Sequence, residues 1–152
     1  MDRHDIAPGA PAAIGAALYS LATRAVRRLP RDMSLTSAAT LATLDRTGPR
    51  RITDLAAIEG VTQPAMTALV RVMEESGLVE RRSDPSDKRV TLVCLTADGA
   101  SYVRTRRQAG VRAFERLIGG LTGDEVEALM AALPALKHLA ELENQDREGP
   151  KQ

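Results

Sequence analysis

The stretch VTQPAMTALVRVMEESGLVERRSDPSDKRVTLVCL, residues 61–95, changes from one periodicity to another in its middle. In its first half, apolar side chains recur every three or four residues, which predicts an amphipathic helix with one face in the core. These core positions are Met66, Leu69, Val70 and Met73. In its second half, two short apolar runs, residues 78–82 and 90–95, flank a polar segment whose Asp and Pro residues favour a turn, so a β-hairpin is predicted.

Two further helices are predicted upstream, because two segments begin with hydroxyl side chains and end in glycine. They are LTSAATLATLDRTG, residues 35–48, and TDLAAIEG, residues 53–60. The expected N-caps are Thr36 or Ser37 for the first, Thr53 for the second and Thr62 for the amphipathic helix. The short turn EGVT joins the second helix to the amphipathic one, and this arrangement is typical of a helix-turn-helix DNA-binding motif.

The segments on either side of this region also have helical spacing. Before it, the apolar positions are Ile14, Leu18, Leu21, Ala25 and Leu29. That first helix is expected to end at Pro30. After the hairpin, Thr96 is expected to cap a long helix. A last helix begins with a capping box of Thr122 and Glu125 and contains Pro134, where a kink is expected.

Composition favours one mostly helical domain. The 152 residues are 43 % hydrophobic but only 2 % aromatic, so aliphatic side chains must form the core, and these favour helices. We therefore expect a mostly α protein with a small β wing. The predicted divisions are a flexible tail (1–10), dimerisation helices (11–34 and 101–145), a winged helix-turn-helix region between them (35–100) and a polar tail (146–152).

Charge is distributed unevenly along the chain, although the net charge is only +1. Residues 46–114 contain twelve basic and eight acidic side chains, whereas residues 115–152 contain four basic and eight acidic ones. A basic middle segment is typical of a protein that contacts nucleic acid. Solvated surface charge would give the same pattern, so charge alone does not decide the function.

The face of the amphipathic helix opposite its apolar stripe is small and polar. At about 100° per residue, this face carries Pro64, Thr67, Ala68 and Arg71, with Gln63 at its edge. Gln pairs with adenine through two hydrogen bonds, Thr and Ala methyl groups contact the thymine methyl group, and Arg binds guanine or phosphate. Ordinary solvated helix faces usually carry Lys and Glu, so this composition favours DNA contact.

The loop SDPSDKRV, residues 83–90, is interpreted as the tip of a wing that reaches the minor groove. Arg89 suits a narrow minor groove, where the negative potential of DNA is strongest. Asp87 is expected to hold the Arg89 guanidinium through a forked ion pair, and Asp84 and Pro85 are expected to stiffen the turn. The residues expected to bind phosphates are Arg81, Arg82 and Lys88. A solvated turn of mixed charge is the alternative for the loop taken alone.

Residues 35–100 resemble the MarR family of bacterial transcription regulators, most specifically in TQPAMTALVRVMEESGLVERR, in the wing DPSDKR and in the LTADG that follows. The resemblance implies a homodimeric winged helix-turn-helix protein that binds pseudo-palindromic operators in double-stranded DNA, usually as a repressor. Many members are released from DNA by a small anionic or phenolic effector. The positions that the resemblance assigns to recognition are Gln63, Pro64, Ala65, Thr67 and Arg71, and those of the wing pair are Asp87 and Arg89.

The predicted DNA-binding residues are Thr62, Gln63, Pro64, Ala65, Thr67, Ala68, Arg71, Arg81, Arg82, Lys88 and Arg89, with Asp87 orienting the wing. The chain departs from the family at Ala68, where many members have Arg, and its first helix lacks the cysteine of oxidation-sensing members. The single cysteine, Cys94, lies in an apolar run and is expected in the core. Aromatic residues that would line a phenol pocket are scarce, so no effector-binding residue is predicted.

Other classes of protein receive little support from the sequence. No apolar run approaches the roughly 18 residues of a membrane span, and neither a signal peptide nor an internal disulfide is expected, so a cytoplasmic protein is predicted. His4 and His138 have no cluster of His, Cys or Asp near them, so no metal site, cofactor or enzyme activity is predicted. The alternative to a DNA-binding regulator is a winged-helix module that contacts another protein.

Overall fold

The computed structural model describes residues 9–27 and 32–148, and these ranges contain six helices and one two-stranded sheet. The elements are, in chain order, α1 (Ala10–Val26), α2 (Leu35–Thr47), α3 (Ile52–Ile58), α4 (Gln63–Glu75), β1 (Val79–Ser83), β2 (Thr91–Leu95), α5 (Ala97–Ile118) and α6 (Gly123–Glu148). The chain divides into two units, Met1–Asp32 and Met33–Gln152. The prediction of a mostly α protein with a small β wing is confirmed.

Two threonines cap helices where the sequence predicts them. The N–H of Ala65 donates to Thr62 Oγ1 over 3.4 Å at the start of α4. The N–H of Gly99 donates to Thr96 Oγ1 over 3.0 Å at the start of α5. An N-cap hydroxyl typically stabilises a helix by about 1 kcal/mol, so these side chains help to define where both helices begin.

The predicted N-cap of α2 is wrong. The helix begins at Leu35 with Ser34 as its N-cap, and the N–H of Ser37 donates to Ser34 Oγ over 3.0 Å. Ser34 has the extended backbone that an N-cap requires, with φ −64° and ψ 152°, whereas Thr36 and Ser37 are already helical. Hydroxyl residues stand at all three positions, so the sequence pattern does not distinguish between them.

The predicted N-cap of α3 is also wrong, because Arg51 is the N-cap and Thr53 lies inside the first turn. No side chain caps this helix. Arg50 forms an extended bridge to Val93, with backbone hydrogen bonds of 3.1 and 2.8 Å. The chain is therefore held extended at Arg50 and turns into the helix at the next residue.

One hydrophobic core joins α2, α3, α4 and the two strands. Its buried side chains are Leu41, Leu44, Leu55, Ala56, Met66, Val70, Met73, Val79 and Val93. On α4, Met66, Val70 and Met73 are at most 2 % exposed, as their spacing predicts, and Leu69 is partly buried. Burying one such side chain contributes roughly 1.5–3 kcal/mol, so three on one face fix the rotation of α4 about its own axis.

A close backbone contact joins the wing to α5. The strands pair antiparallel in the register Val79↔Leu95, Glu80↔Cys94, Arg81↔Val93, Arg82↔Leu92 and Ser83↔Thr91. Directly after β2, the N–H of Thr96 donates to the carbonyl of Leu78 over 3.1 Å, and its Oγ1 donates to the carbonyl of Gly77 over 2.7 Å. A Cβ atom at Gly99 would lie 2.0 Å from the carbonyl oxygen of Leu78, so the first turn of α5 packs directly on the base of the wing.

The C-terminal half of α5 and the whole of α6 lie outside this core. The capping box predicted at the start of α6 is present: the N–H of Thr122 donates to Glu125 Oε2 over 2.8 Å. α6 continues through Pro134, and the kink expected there stays a prediction. The large exposed apolar side chains of the two helices are Val111, Phe114, Leu117, Ile118, Leu129, Met130, Leu133, Leu136, Leu139 and Leu142.

α1, taken by itself, ends at Val26, and Leu29 and Pro30 lie outside the described residues. None of its side chains is buried. Cys94 is buried on β2, as predicted. None of the helices in the described ranges is long and apolar enough to cross a membrane. The division of the chain into tails, dimerisation helices and DNA-binding region stays a prediction.

The contact at Gly99 predicts opposite effects for two glycine substitutions in α5. Gly99→Ala should lower the free energy of unfolding by about 1–3 kcal/mol or more, the usual cost of overpacking, because the added methyl group meets a backbone carbonyl that cannot move aside. Gly110→Ala is the matched control, since a Cβ there would have no atom of this chain within 4 Å beyond its chain neighbours and the backbone of its own helix.

Urea unfolding followed by circular dichroism measures both changes. Gly110→Ala should raise the free energy of unfolding by roughly 0.5–1 kcal/mol, because alanine restricts the unfolded chain and favours the helix. Equal stability of Gly99→Ala and the wild-type protein would show that the joint between the wing and α5 is looser than the structure indicates.

Candidate nucleic-acid interface

The turn between α3 and α4 fixes the start of α4. Gly60 adopts a left-handed backbone with φ 64°, which glycine reaches without steric cost. The N–H of Val61 donates to the carbonyl of Ala56 over 3.0 Å, and Thr62 then caps α4. Pro64 lies in the first turn, where its missing N–H breaks no helical hydrogen bond. These contacts form the helix-turn-helix that the sequence predicts.

The face of α4 opposite the core is open to solvent. Its exposed residues are Thr62, Gln63, Pro64, Ala65, Thr67, Ala68 and Arg71. Thr67 Oγ1 donates to the carbonyl of Gln63 over 2.9 Å, so its hydroxyl is held against the helix and its methyl group is left for an apolar contact. The Gln63 amide and the methyl groups of Thr67 and Ala68 therefore lie together on one exposed face.

Three of the predicted DNA-contacting arginines are paired with glutamates. Arg71 Nε lies 3.1 Å from Glu75 Oε1, one helical turn away on α4. Arg81 Nε lies 3.3 Å from Glu74 Oε2, so this pair links β1 to α4. Arg82 pairs with Glu80 on the same strand. In the described part of the chain, Lys88 and Arg89 have no ion pair, which leaves them the most available cations of the wing.

The wing tip is a hydrogen-bonded turn around Asp84. Asp84 Oδ1 accepts from the N–H of Ser86 over 2.8 Å and from its hydroxyl over 2.6 Å. The hydroxyl bond, then the N–H bond, lowers the pKa of Asp84 below its usual value, and the positive charge of Arg51 acts in the same direction. The N–H of Asp84 also donates to the carbonyl of Val90 over 2.8 Å. Asp84 therefore stiffens the turn, as predicted.

Asp87 makes a different contact from the one that the sequence suggests. Its Oδ1 accepts from the backbone N–H of Arg89 over 3.0 Å, and no ion pair to the Arg89 guanidinium is present among the described residues. An Asp two residues before an amide readily forms such a local bond, whereas an exposed ion pair contributes only about 0–1 kcal/mol. In the DNA-free chain, Asp87 thus fixes the backbone at Arg89, and its role in orienting the wing stays a prediction.

One further cation lies beside the wing. Arg50 and Arg51 lie in the link between α2 and α3, and the bridge from Arg50 to Val93 holds this link against the sheet. Arg51 is exposed, and its charge is felt at Asp84. Two adjacent arginines directly before the helix-turn-helix are the signal in the sequence that could have indicated this position.

The pair α3–α4 followed by the hairpin β1–β2 defines a winged helix-turn-helix protein. The MarR family matches residues 33–91. The HTH-type transcriptional regulator Mb0904 of Mycobacterium bovis is 30 % identical over 126 residues, which cover 77 % of this chain and 88 % of that protein. The chain belongs to the MarR family of transcriptional regulators.

A further relative and a solved structure are also similar to the chain. The transcriptional regulator HosA of Escherichia coli O111:H- is 36 % identical over 69 residues, so the match covers 45 % of this chain and about half, 51 %, of HosA. The crystal structure of the transcriptional regulator Tm0710 of Thermotoga maritima has a TM-score of 0.73 and covers 91 % of this chain and 98 % of that one. At 22 % identity, the last likeness concerns the fold alone.

Gln63, in the exposed first turn of α4, is expected to recognise a base. Gln63→Ala should relax the preference for one base pair in each half-site, because a paired amide contact to a base edge is worth about 1–3 kcal/mol. Selection of binding sites from a randomised duplex pool measures this preference. Gln108→Ala on α5 is the matched control and should leave the selected sequence unchanged. If the Gln63→Ala variant selects the same sequence as the wild-type protein, Gln63 has no role in base recognition.

Arg89 and Lys88, neighbours at the wing tip, should contribute differently to DNA affinity. Arg89→Ala should reduce DNA affinity more than Lys88→Ala, because a guanidinium fits a narrow minor groove better than the mobile ammonium of lysine, which contributes one phosphate contact. Fluorescence anisotropy titration of a short labelled duplex measures both affinities. Equal losses for the two neighbours would indicate that the wing contributes only general positive charge.

Asp87→Ala separates the effect of charge from that of backbone position in the same titration. The substitution removes a negative charge, which by itself should improve binding to DNA. We expect weaker binding, because the Arg89 N–H loses its partner and the turn must then be ordered on binding. Tighter binding than wild type would mean that the bond from Asp87 to the Arg89 N–H does not prepare the wing for DNA and that the negative charge of Asp87 dominates.

Proposed function

We propose that this protein is a sequence-specific DNA-binding regulator that binds a pseudo-palindromic operator as a homodimer and acts as a repressor. The observation that supports this most directly is the exposed, small and polar face of α4, whose opposite face is buried in the core. A helix held in this way presents a fixed set of side chains to the major groove.

In this proposal, α4 and the wing contact different parts of the DNA. The N-terminal turn of α4 enters the major groove, where the Gln63 amide reads a base edge and Thr67 and Ala68 contact thymine methyl groups. Arg71 contacts the backbone or a guanine at the edge of the groove. Arg89 enters the adjacent minor groove from the wing. The cations that bind phosphates beside these contacts are Arg81, Arg82 and Lys88.

Homodimer formation is supported by the apolar side chains that α5 and α6 leave exposed. Within one chain these helices have few partners, since none of the described side chains of α6 is buried. Pairing with a second copy would bury these side chains in a two-fold interface, which presents two α4 helices to the two half-sites of an operator. The two-fold symmetry of the protein would then match the inverted symmetry of the DNA.

Release by a small effector is the remaining part of the proposal. Suppose that a ligand binds more tightly to a dimer whose two α4 helices are not spaced to match the two half-sites. The ligand would then shift the dimer toward that conformation and lower its affinity for the operator. Open grooves lie along α5, the larger one of about 570 Å³ and lined by Ala109, Arg112, Glu115 and Arg116. No effector is assigned to them. Since the operator is chromosomal DNA, we propose that the protein acts in the cytoplasm.

Selection from a randomised duplex pool tests the proposed function. We expect two inverted half-sites about 10 bp apart centre to centre, as for other dimeric helix-turn-helix proteins. Light scattering should give twice the 16.3 kDa of one chain. Affinity should fall steeply with salt, because each phosphate contact releases counterions. No enriched sequence together with a stable monomer would contradict the proposal and favour a winged helix that contacts another protein.

A further inference from the structure

Two glutamates beside the proposed DNA surface pair with arginines before any DNA is present. Glu74 and Glu75 approach Arg81 and Arg71 at their Nε atoms, at 3.3 and 3.1 Å. A guanidinium has five N–H donors in a fixed planar fork, so a carboxylate at the inner nitrogen leaves donors on the outer edge for a phosphate oxygen. A glutamate in this position can therefore restrict the direction of an arginine without using all of its donors.

The pair between Glu74 and Arg81 is the better fixed of the two. Arg81 lies opposite Val93 in the register of the sheet and alternates with Val79, so it lies on the face of the sheet that packs on the core. The side chains of Arg81 and Glu74 are only 37 % and 39 % exposed, and the pair joins two elements. The side chains of Arg71 and Glu75 are 74 % and 63 % exposed and lie on one helix, where such pairs are weak.

We propose that Glu74 is a positioning residue that determines the specificity of DNA binding by fixing Arg81. The inference rests on the proposed function and concerns how the same surface rejects non-operator DNA. A mobile arginine can reach a phosphate on any duplex, because the DNA backbone is the same for every sequence. A fixed arginine makes its contact only when α4 is docked in one register, and the neighbouring carboxylate repels phosphates elsewhere.

Glu74→Gln tests this role, because it removes the charge and keeps the size of the side chain. The probes are the duplex selected by the wild-type protein and a scrambled duplex of the same length and composition. Affinity for the scrambled duplex should rise, and this rise should be about threefold larger in 50 mM than in 200 mM salt, which is the share of one phosphate contact in the salt dependence. Operator affinity should hardly change. For the scrambled duplex, the slope of the logarithm of the binding constant against the logarithm of the salt concentration should become more negative by about 0.9, the value for one additional phosphate contact.

Four further variants separate positioning from simple charge. Glu74→Asp keeps the charge but is one methylene shorter, so it should lower the ratio of operator to scrambled affinity as Glu74→Gln does. In an Arg81→Ala background, Glu74→Gln should have no further effect on this ratio. Glu127→Gln on α6 removes the same charge from another exposed site and should leave the ratio unchanged.

The possible outcomes distinguish the inference from the proposed function. A wild-type ratio of operator to scrambled affinity for Glu74→Gln would overturn the positioning role. A lowered ratio for Glu74→Gln together with a wild-type ratio for Glu74→Asp would also overturn it, because the effect would then depend on charge alone. A lowered ratio for Glu127→Gln would overturn it as well. A wild-type protein that binds both duplexes equally would contradict the proposed function itself, and the inference with it. Equal thermal unfolding of all variants shows that the fold is intact.

Discussion

The burial of one face of α4 is the constraint on which the rest of this surface depends. Met66, Val70 and Met73 are at most 2 % exposed, and they pack in the same core as α2, α3 and the strands. Because the helix cannot rotate about its axis without exposing them, the side chains on its other face are the ones that face the solvent. The cap at Thr62 and the turn at Gly60 then fix where the helix begins.

A second contact extends this order to the wing and to α5. Thr96 accepts from the N–H of Gly99 and donates to the carbonyl of Gly77, and Gly99 packs on the carbonyl of Leu78. The end of α4, the start of β1 and the first turn of α5 therefore meet at one point. A movement of α5 in a dimer would be passed to the wing through this joint, which provides a physical route from the proposed dimer interface to the proposed DNA surface.

The sequence predicts the parts of this arrangement that depend on local patterns. The stripe of α4, the two strands, the cap at Thr62 and the capping box at Thr122 follow from spacing and residue type, and all four are present. The parts that depend on contacts between distant segments are not predictable in this way. The start of α3 is set by the bridge from Arg50 to Val93, and the pair of Glu74 with Arg81 requires α4 and β1 to be packed together. Asp87 binds a backbone amide because local geometry favours that bond over an exposed ion pair.

The wing is proposed to enter the minor groove beside α4, and directed cleavage of the operator shows whether it does. An iron–EDTA group is attached to a cysteine at position 88, made by Lys88→Cys in a Cys94→Ala background so that this is the single cysteine. We expect one narrow patch of cleavage outside each half-site. Its maxima on the two strands should be offset in the 3′ direction, as hydroxyl radicals generated in the minor groove produce. Cleavage offset in the 5′ direction, or spread evenly along the duplex, would contradict it.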